Sequence, residues 1–349
     1  MSKGLALVTG ANGFIAGRTI EAFLKAGWNV RGTVRSLKSA GPVKAALAEY
    51  GSRAELVEVP DITTPGAFDT ALQGVTAVAH LATPVSLQFT DPEPVLRTAA
   101  NGTLSILESA TRTPSVKAFV ILSSITAILR RVEGPETIND EQWNDWAEPL
   151  VAELGDKAPG RAIYSASKVL AERTFWEFRE EHKGDINFSL TAVNPSFVAG
   201  PPLVTPQNPE QVSETNAFIW DVLAGKAIET AGVAGFAGVT GSSGYVDVRD
   251  VGRIVVFAAE HPAETDGHRY LASAHYAGAQ AVADILRKAY PARKDIIQAG
   301  TPGQDYYPGY KFGGEKVHDS SKVVKTTGQD FIPFETTVLD TAKAFESLL

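Results

Sequence analysis

No cysteine occurs among the 349 residues. Disulfides, thiolate nucleophiles and zinc–thiolate sites are therefore excluded outright. A basic excess is missing too: 32 Lys and Arg stand against 40 Asp and Glu, for a formal charge of −8 and a pI near 5.4. That balance argues against a general binder of nucleic acid or anionic membrane, while leaving room for a local basic pocket around a phosphorylated ligand. No apolar run approaches the ~20 residues of a membrane-spanning helix. The predicted first core strand begins within four residues of the N-terminus, so no signal peptide is expected and a cytoplasmic location is. The six histidines show no metal-ligand spacing, so no metal is expected, and neither a P-loop nor a Ser-His-Asp motif is present.

What is there reads as an ordinary soluble α/β chain, 44% hydrophobic and 21% charged, long enough for one sizeable domain with a smaller appended lobe. The glycine-rich opening organises it. Leu5-Ala6-Leu7-Val8 is a short apolar run bounded by glycines, as a strand buried on both faces would be. Thr9-Gly10-Ala11-Asn12-Gly13 turns the chain, and from Phe14 the apolar residues Ile15, Ile20, Phe23 and Leu24 recur at helical spacing until Gly27. Strand, glycine turn and helix N-terminus together make a phosphate site, because free amides and the helix dipole favour an anion and glycines let it approach. The spacing Gly10-x-x-Gly13-x-x-Ala16 is a variant dinucleotide fingerprint. Thr9, Gly10, Asn12, Gly13, Phe14 and Ile15 are its candidate contacts.

The second predicted strand, Trp28 to Val34, runs into Arg35, with Lys38 and Lys44 nearby and no carboxylate from Trp28 to Leu47. An acidic residue here selects a free ribose 2′-OH, whereas arginine accepts a 2′-phosphate, so the cofactor expected is NADPH/NADP+, with Arg35 and then Lys38 at the phosphate. A helix is predicted at Val43–Tyr50, a strand at Ala54–Val59, a short helix at Ala67–Leu72 and strands at Val75–His80 and Val116–Leu122. Helices are expected at Glu93–Thr111 and Tyr164–Glu181, with a sixth strand at Phe188–Val193. Asp61 and Ile62 fall where adenine would lie, and Leu81, Ala82 and Thr83 at a strand's carboxyl end, where open α/β sheets place ligands. Arg130 to Gly160, carrying Trp143 and Trp146, reads as a long loop. Beyond it a helix is expected at Glu214–Leu223 and a glycine-rich segment at Gly232–Gly244. Helices follow at Val248–Glu260, Ala279–Tyr290 and Thr336–Leu348, with strands near Tyr245 and Tyr270. The expected fold is a Rossmann doubly wound parallel sheet with a smaller C-terminal α/β lobe. Residues 1–194 would bind the cofactor, with segments near 245–260 returning to that domain, and 195–349 would mainly bind substrate.

Tyr164 and Lys168 lie four residues apart, on one helix face. A phenol with its ordinary pKa of about 10 is a poor acid, but a neighbouring ammonium favours the phenolate and eases proton transfer to a carbonyl oxygen as hydride reaches carbon. Ser124, at the fifth strand's end, would hold the same oxygen by hydrogen bond, with Ser123 as its rival.

The set Thr9-Gly10-x-x-Gly13, Ser124, Tyr164-x-x-x-Lys168 and Asn194-Pro-Ser-Phe-Val-Ala-Gly-Pro201 resembles the extended short-chain dehydrogenase/reductases, in particular their dihydroflavonol reductase-like branch. Ala79-His-Leu-Ala-Thr-Pro84, Thr113-Pro-Ser-Val-Lys117 and Asn139-Asp-Glu-Gln-Trp143 are most similar to the yeast and fungal aldehyde reductases, which also carry alanine at position 16. The resemblance spans residues 3 to about 260. It implies NADPH-dependent reduction of an aldehyde or ketone to the alcohol, with Ser124, Tyr164 and Lys168 as the catalytic triad. It also implies ribose contacts from Tyr164 and Lys168 and nicotinamide contacts from Pro195 and Val198. Asp247-Val-Arg-Asp250 resembles a structural helix-start element of the extended class. Pro84, Val85, Phe89, Thr126, Phe197 and Trp220 are candidates for the substrate pocket, chosen from position and apolar character. A small carbonyl compound is the expected partner, nucleic acid and membrane are not, and the protein is expected to be a monomer or homodimer. Two alternatives stay open, a nucleotide-sugar epimerase or dehydratase of the same fold and a non-catalytic NADP(H) sensor.

Overall fold

The computed structural model describes residues 2–83, 86, 88–231 and 243–349. The chain enters on β1 (Leu5–Val8) and runs through α1 (Phe14–Lys25), β2 (Asn29–Val34), α2 (Gly41–Ala46), β3 (Ala54–Glu58), β4 (Ala77–His80), α3 (Pro92–Thr111) and β5 (Ala118–Leu122). There follow β6 (Glu136–Ile138), α4 (Ala147–Leu154), α5 (Gly160–Glu181), β7 (Ser189–Pro195), β8 (Phe197–Ala199) and α6 (Ala217–Leu223). The last part comprises β9 (Ser243–Asp247), α7 (Val248–Glu260), α8 (Pro262–Thr265), β10 (Arg269–Ala272), β11 (His275–Ala277), α9 (Ala279–Ala289), β12 (Lys316–His318), α10 (Ser321–Thr327) and α11 (Phe334–Phe345). They form two compact units, one of Met1–Arg131, Asp140–Asn194 and Gly252–Tyr270, the other of Val132–Asn139, Pro195–Val251 and Leu271–Leu349.

The first unit is built on a seven-stranded sheet in the order β10-β7-β5-β4-β1-β2-β3, the doubly wound Rossmann arrangement. Parallel pairing is explicit from β3 across to β7. β4, β5 and β7 are buried along their whole length, and in β5, Ala-Phe-Val-Ile-Leu, this shows as a continuous apolar run rather than an alternating one. Phe119 anchors the core on one face, 5.7 Å from Phe175 and 6.1 Å from Phe188 between ring centroids. α3 continues through Asn101-Gly102, where glycine is needed for space: a Cβ at Gly102 would fall 2.8 Å from Ile62 Cδ1.

The second unit has two smaller sheets, β11-β9-β8 and β12-β6. Its core gathers α6, α9 and α11, with Phe218 stacked on Tyr245 at 4.6 Å and Trp220 edge-on to Phe345 at 6.3 Å. Asp247 is a structural hub: buried, it accepts the backbone N–H and guanidinium of Arg249 and the hydroxyl of Thr337, while Arg249 also reaches Asp340. Asp250 accepts the Ile332 amide.

Several local expectations are corrected. Ala67–Leu72 is a succession of turns, entered through Gly66 at φ +75, rather than a helix. Within 130–160 the chain forms β6 and α4, and its tryptophans are fixed points: Arg131 lies 3.7 Å over Trp146, and Arg269 lies 4.0 Å over Trp143. α5 begins at Gly160, a full turn before Tyr164. β6, β8, β11 and β12 are three residues each, too short to show a period in sequence. Most of the glycine-rich segment, 232–242, lies outside the described residues.

Candidate active site

β1 delivers the chain into the turn with Gly10 at φ +74, and a Cβ there would lie 3.3 Å from Ala82 Cα. Glycine is thus required both for backbone sign and for close approach. Gly13 is the N-cap of α1, no side chain caps it, and the first turn carries no acidic residue. The leading amides at Phe14 and Ile15 therefore face outward with the positive end of the helix dipole, the chemistry a pyrophosphate needs. Asn12 is exposed and donates to Ser39 Oγ at 3.2 Å.

Thr9 has a different place. It is fully buried, and its Oγ1 accepts the amides of Leu81 (2.9 Å) and Ala82 (2.8 Å) and lies 3.1 Å from His80 Nδ1. With two amides already accepted, the hydroxyl proton goes to Nδ1, which puts the imidazole proton on Nε2. Thr9 therefore shapes the site from beneath. His80 is buried, edge-on to Phe68, and desolvation, followed by the Lys168 charge, pulls it down to about 3. It stays neutral in the folded chain while the unfolded chain takes up its proton near 6.5. Stability contributed by this group is therefore present at neutral pH and lost as pH falls. Urea unfolding should show a loss of about 2 kcal/mol between pH 7.5 and 5 that is absent in His80→Gln. Equal pH dependence in both proteins would refute the burial argument.

Arg35, at the end of β2, is exposed and has no ion-pair partner among the described residues; Lys38 is exposed beside it. Asp61 is exposed, with one oxygen taken by the amide and hydroxyl of Thr63, whose hydrogen bonds hold its carboxyl below the ordinary range. Ile62 packs into the first unit's core through Gly102. Thr83 is half-buried, and its hydroxyl has no partner among the described residues.

Ser124 follows β5 and caps the single turn Ile125–Ala127, its Oγ accepting from Thr126 N at 3.2 Å. α5 packs against that turn, bringing the helix of Tyr164 and Lys168 alongside Ser124. Its rival Ser123 donates its hydroxyl to Glu172 Oε2 at 2.5 Å. Lys168 is 3% exposed and donates to the Leu122 carbonyl at 3.2 Å. Burial draws its ammonium down to about 8, against an upward push from Glu172. Tyr164 is half-buried.

The pocket candidates divide. Pro84 and Val85 lie outside the described residues. Phe89 packs on the cluster of Val95, Ala147 and Ile163 in the first unit. Thr126 has a buried Oγ1 with no partner among the described residues. In the second unit, Trp220 belongs to the core, Phe197 is partly buried 5.8 Å from Tyr245, Pro195 closes β7 and Val198 is buried in β8. The reading of residues alone missed Glu172 and Arg269. Glu172 falls at Lys168+4, on the same helix face, which was the available signal.

Residues 6–273 match the NAD dependent epimerase/dehydratase family. The chain is 32% identical to the NADPH-dependent methylglyoxal reductase GRE2 of Saccharomyces cerevisiae, over 94% of this chain and 98% of that one. It is 33% identical to aldehyde reductase 2 of Sporidiobolus salmonicolor, over 86% and 85% respectively. Among solved structures, yeast methylglyoxal/isovaleraldehyde reductase complexed with NADPH superposes with a TM-score of 0.82 at 30% identity, covering 99% of this chain and 100% of that one. With the glycine turn, the strand order and relatives of this length and identity in agreement, the chain belongs to the NAD dependent epimerase/dehydratase family, the extended short-chain dehydrogenases/reductases.

Proposed function

We propose that this protein is an NADPH-dependent carbonyl reductase that converts an aldehyde or ketone to the corresponding alcohol. The observation that carries the reading is the convergence of three features in the first unit: an uncapped α1 N-terminus at the end of β1, Ser124 at the end of β5, and Tyr164 and Lys168 on one face of α5. NADPH, the cofactor of the methylglyoxal reductase relative, supplies a hydride to the carbonyl carbon when bound.

The chain's own residues do the rest. The α1 amides hold the pyrophosphate and Arg35 the ribose 2′-phosphate, with Lys38 close by. Ser124 Oγ donates to the carbonyl oxygen and stabilises negative charge developing there. Tyr164 Oη gives its proton to the same oxygen, completing the alcohol. The Lys168 ammonium stabilises the phenolate left behind and binds the nicotinamide ribose. The first unit is the cofactor-binding part, and the second carries the substrate contacts.

Two measurements test this. NADPH oxidation should be followed with aromatic aldehydes, β-ketoesters, methylglyoxal and a dihydroflavonol; tight NADPH binding with no turnover of any of them would overturn the reading. Arg35→Ala should raise the NADPH dissociation constant by about tenfold or more, the loss of a charge-assisted phosphate contact, while NADH affinity changes less than about twofold. Equal weakening of both would remove Arg35 from the 2′-phosphate site.

A further inference from the structure

Glu172 sits one helical turn beyond Lys168, and its side chain is completely buried. Donors converge on both of its oxygens. Ser123 Oγ (2.5 Å), Asn194 Nδ2 (2.7 Å) and Arg269 Nη2 (3.3 Å) reach Oε2, while Arg269 Nε (2.5 Å) and Trp176 Nε1 (3.3 Å) reach Oε1. The carboxylate thereby ties α5 to Ser123 beyond β5, to β7 and to β10. Asn194 extends the tie to the reacting region, its Nδ2 also donating to the Ser124 carbonyl at 3.3 Å. Arg269 is itself held by the carbonyls of Asp140 and Gln142. A buried ion pair adds little stability over apolar packing of the same volume, so what it touches matters more than what it contributes to the fold. Lys168, Glu172, Ser123 and His80 line one small cavity of about 10 Å³, roughly the space of a single water.

We propose that Glu172 is a positioning residue for the proton-donating pair: it fixes Ser124 against α5 and supplies the negative charge beside which the buried Lys168 remains an ammonium. This inference rests on the reductase reading of the site. Among the described residues, Glu172 on α5 and neutral His80 on β4 line the same cavity as Lys168, and Arg269 enters from β10 through Glu172. Tyr164 lies one turn earlier on α5. Desolvation brings Lys168 down to about 8, and the Glu172 charge opposes it. Without that charge the ammonium would lose its proton at lower pH, and with it the ribose contact and the support of the phenolate.

The experiment measures the NADPH dissociation constant by nicotinamide fluorescence, and kcat/KM with methylglyoxal, from pH 5.5 to 9.5 in wild type, Glu172→Gln and Glu172→Asp. In Glu172→Gln the alkaline loss of NADPH affinity and of turnover should move down by about one pH unit or more. Near pH 6 NADPH affinity should stay close to wild type. Glu172→Asp keeps the charge and should keep the wild-type limb at reduced kcat. A loss in Glu172→Gln that is uniform across pH, or an equal displacement in Glu172→Asp, would overturn the proposal. Should the single variant not fold, Glu172→Gln/Arg269→Met removes the stranded guanidinium and gives the same reading; failure of both to fold would reduce Glu172 to a stabilising role and overturn the proposal as well. The binding profile needs no carbonyl substrate. Wild type that binds NADPH with this limb yet reduces nothing would sink the reductase reading alone.

Discussion

Tyr164→Phe should reduce kcat by about 10²–10⁴-fold, the range supplied by a positioned general acid, while the NADPH dissociation constant changes by no more than a few-fold. The substitution deletes one oxygen and leaves the ring, so a half-buried side chain on a 22-residue helix loses its proton and little of its packing. On the proposed reading Ser124, Lys168 and the α1 amides are untouched and only the phenol's ribose contact goes, which separates chemistry from binding. Absorbance of NADPH at saturating carbonyl substrate reads the first quantity, and nicotinamide fluorescence the second. Loss of NADPH affinity in step with turnover would make Tyr164 a structural residue. Retained turnover would move the proton donor elsewhere and reopen the site.

The second large effect is on stability. Arg269→Leu strands the fully buried Glu172 carboxylate with no cation, and breaking one side of such a pair costs about 3–5 kcal/mol. The variant also gives up the bonds to the Asp140 and Gln142 carbonyls and the contact over Trp143. Arg97 is the internal comparison: it pairs with Glu93 at side-chain exposures of 59% and 70%, so Arg97→Ala should cost under about 1 kcal/mol. Urea unfolding followed by tryptophan fluorescence reads both. Equal losses in the two variants would mean that burial does not set the value of the Glu172–Arg269 pair.

The parts of the candidate site legible in sequence are those made by neighbours in the chain. Gly10 and Gly13 sit within four positions of each other, and Tyr164 and Lys168 within one helical turn, so local geometry alone brings them together. Long-range polar closure left no such trace. Glu172 and Arg269 are 97 residues apart, and nothing in Gly-His-Arg-Tyr marks its arginine as the partner of a helix carboxylate. The hydrogen bond from Ser123 to that carboxylate, which distinguishes it from Ser124, likewise has no mark in the sequence. Trp220 shows the converse ambiguity. An aromatic residue on a short helix reads equally well as pocket or core, and it is the packing against Phe345 that makes it core. Ala67–Leu72 has helical composition, but its entry at Gly66 and its short length leave it as turns, since nucleating a helix costs more than one turn returns.

The buried hydroxyl of Thr9 holds Leu81 and Ala82 by their backbone amides alone. Every residue except proline presents such an amide, so the anchor is blind to which side chains follow β4. Selection, or a library built at residue 81, can therefore change the side chain at that rim while the Thr9 anchor is kept. Diversity is permitted at the rim because uniformity is imposed one layer below.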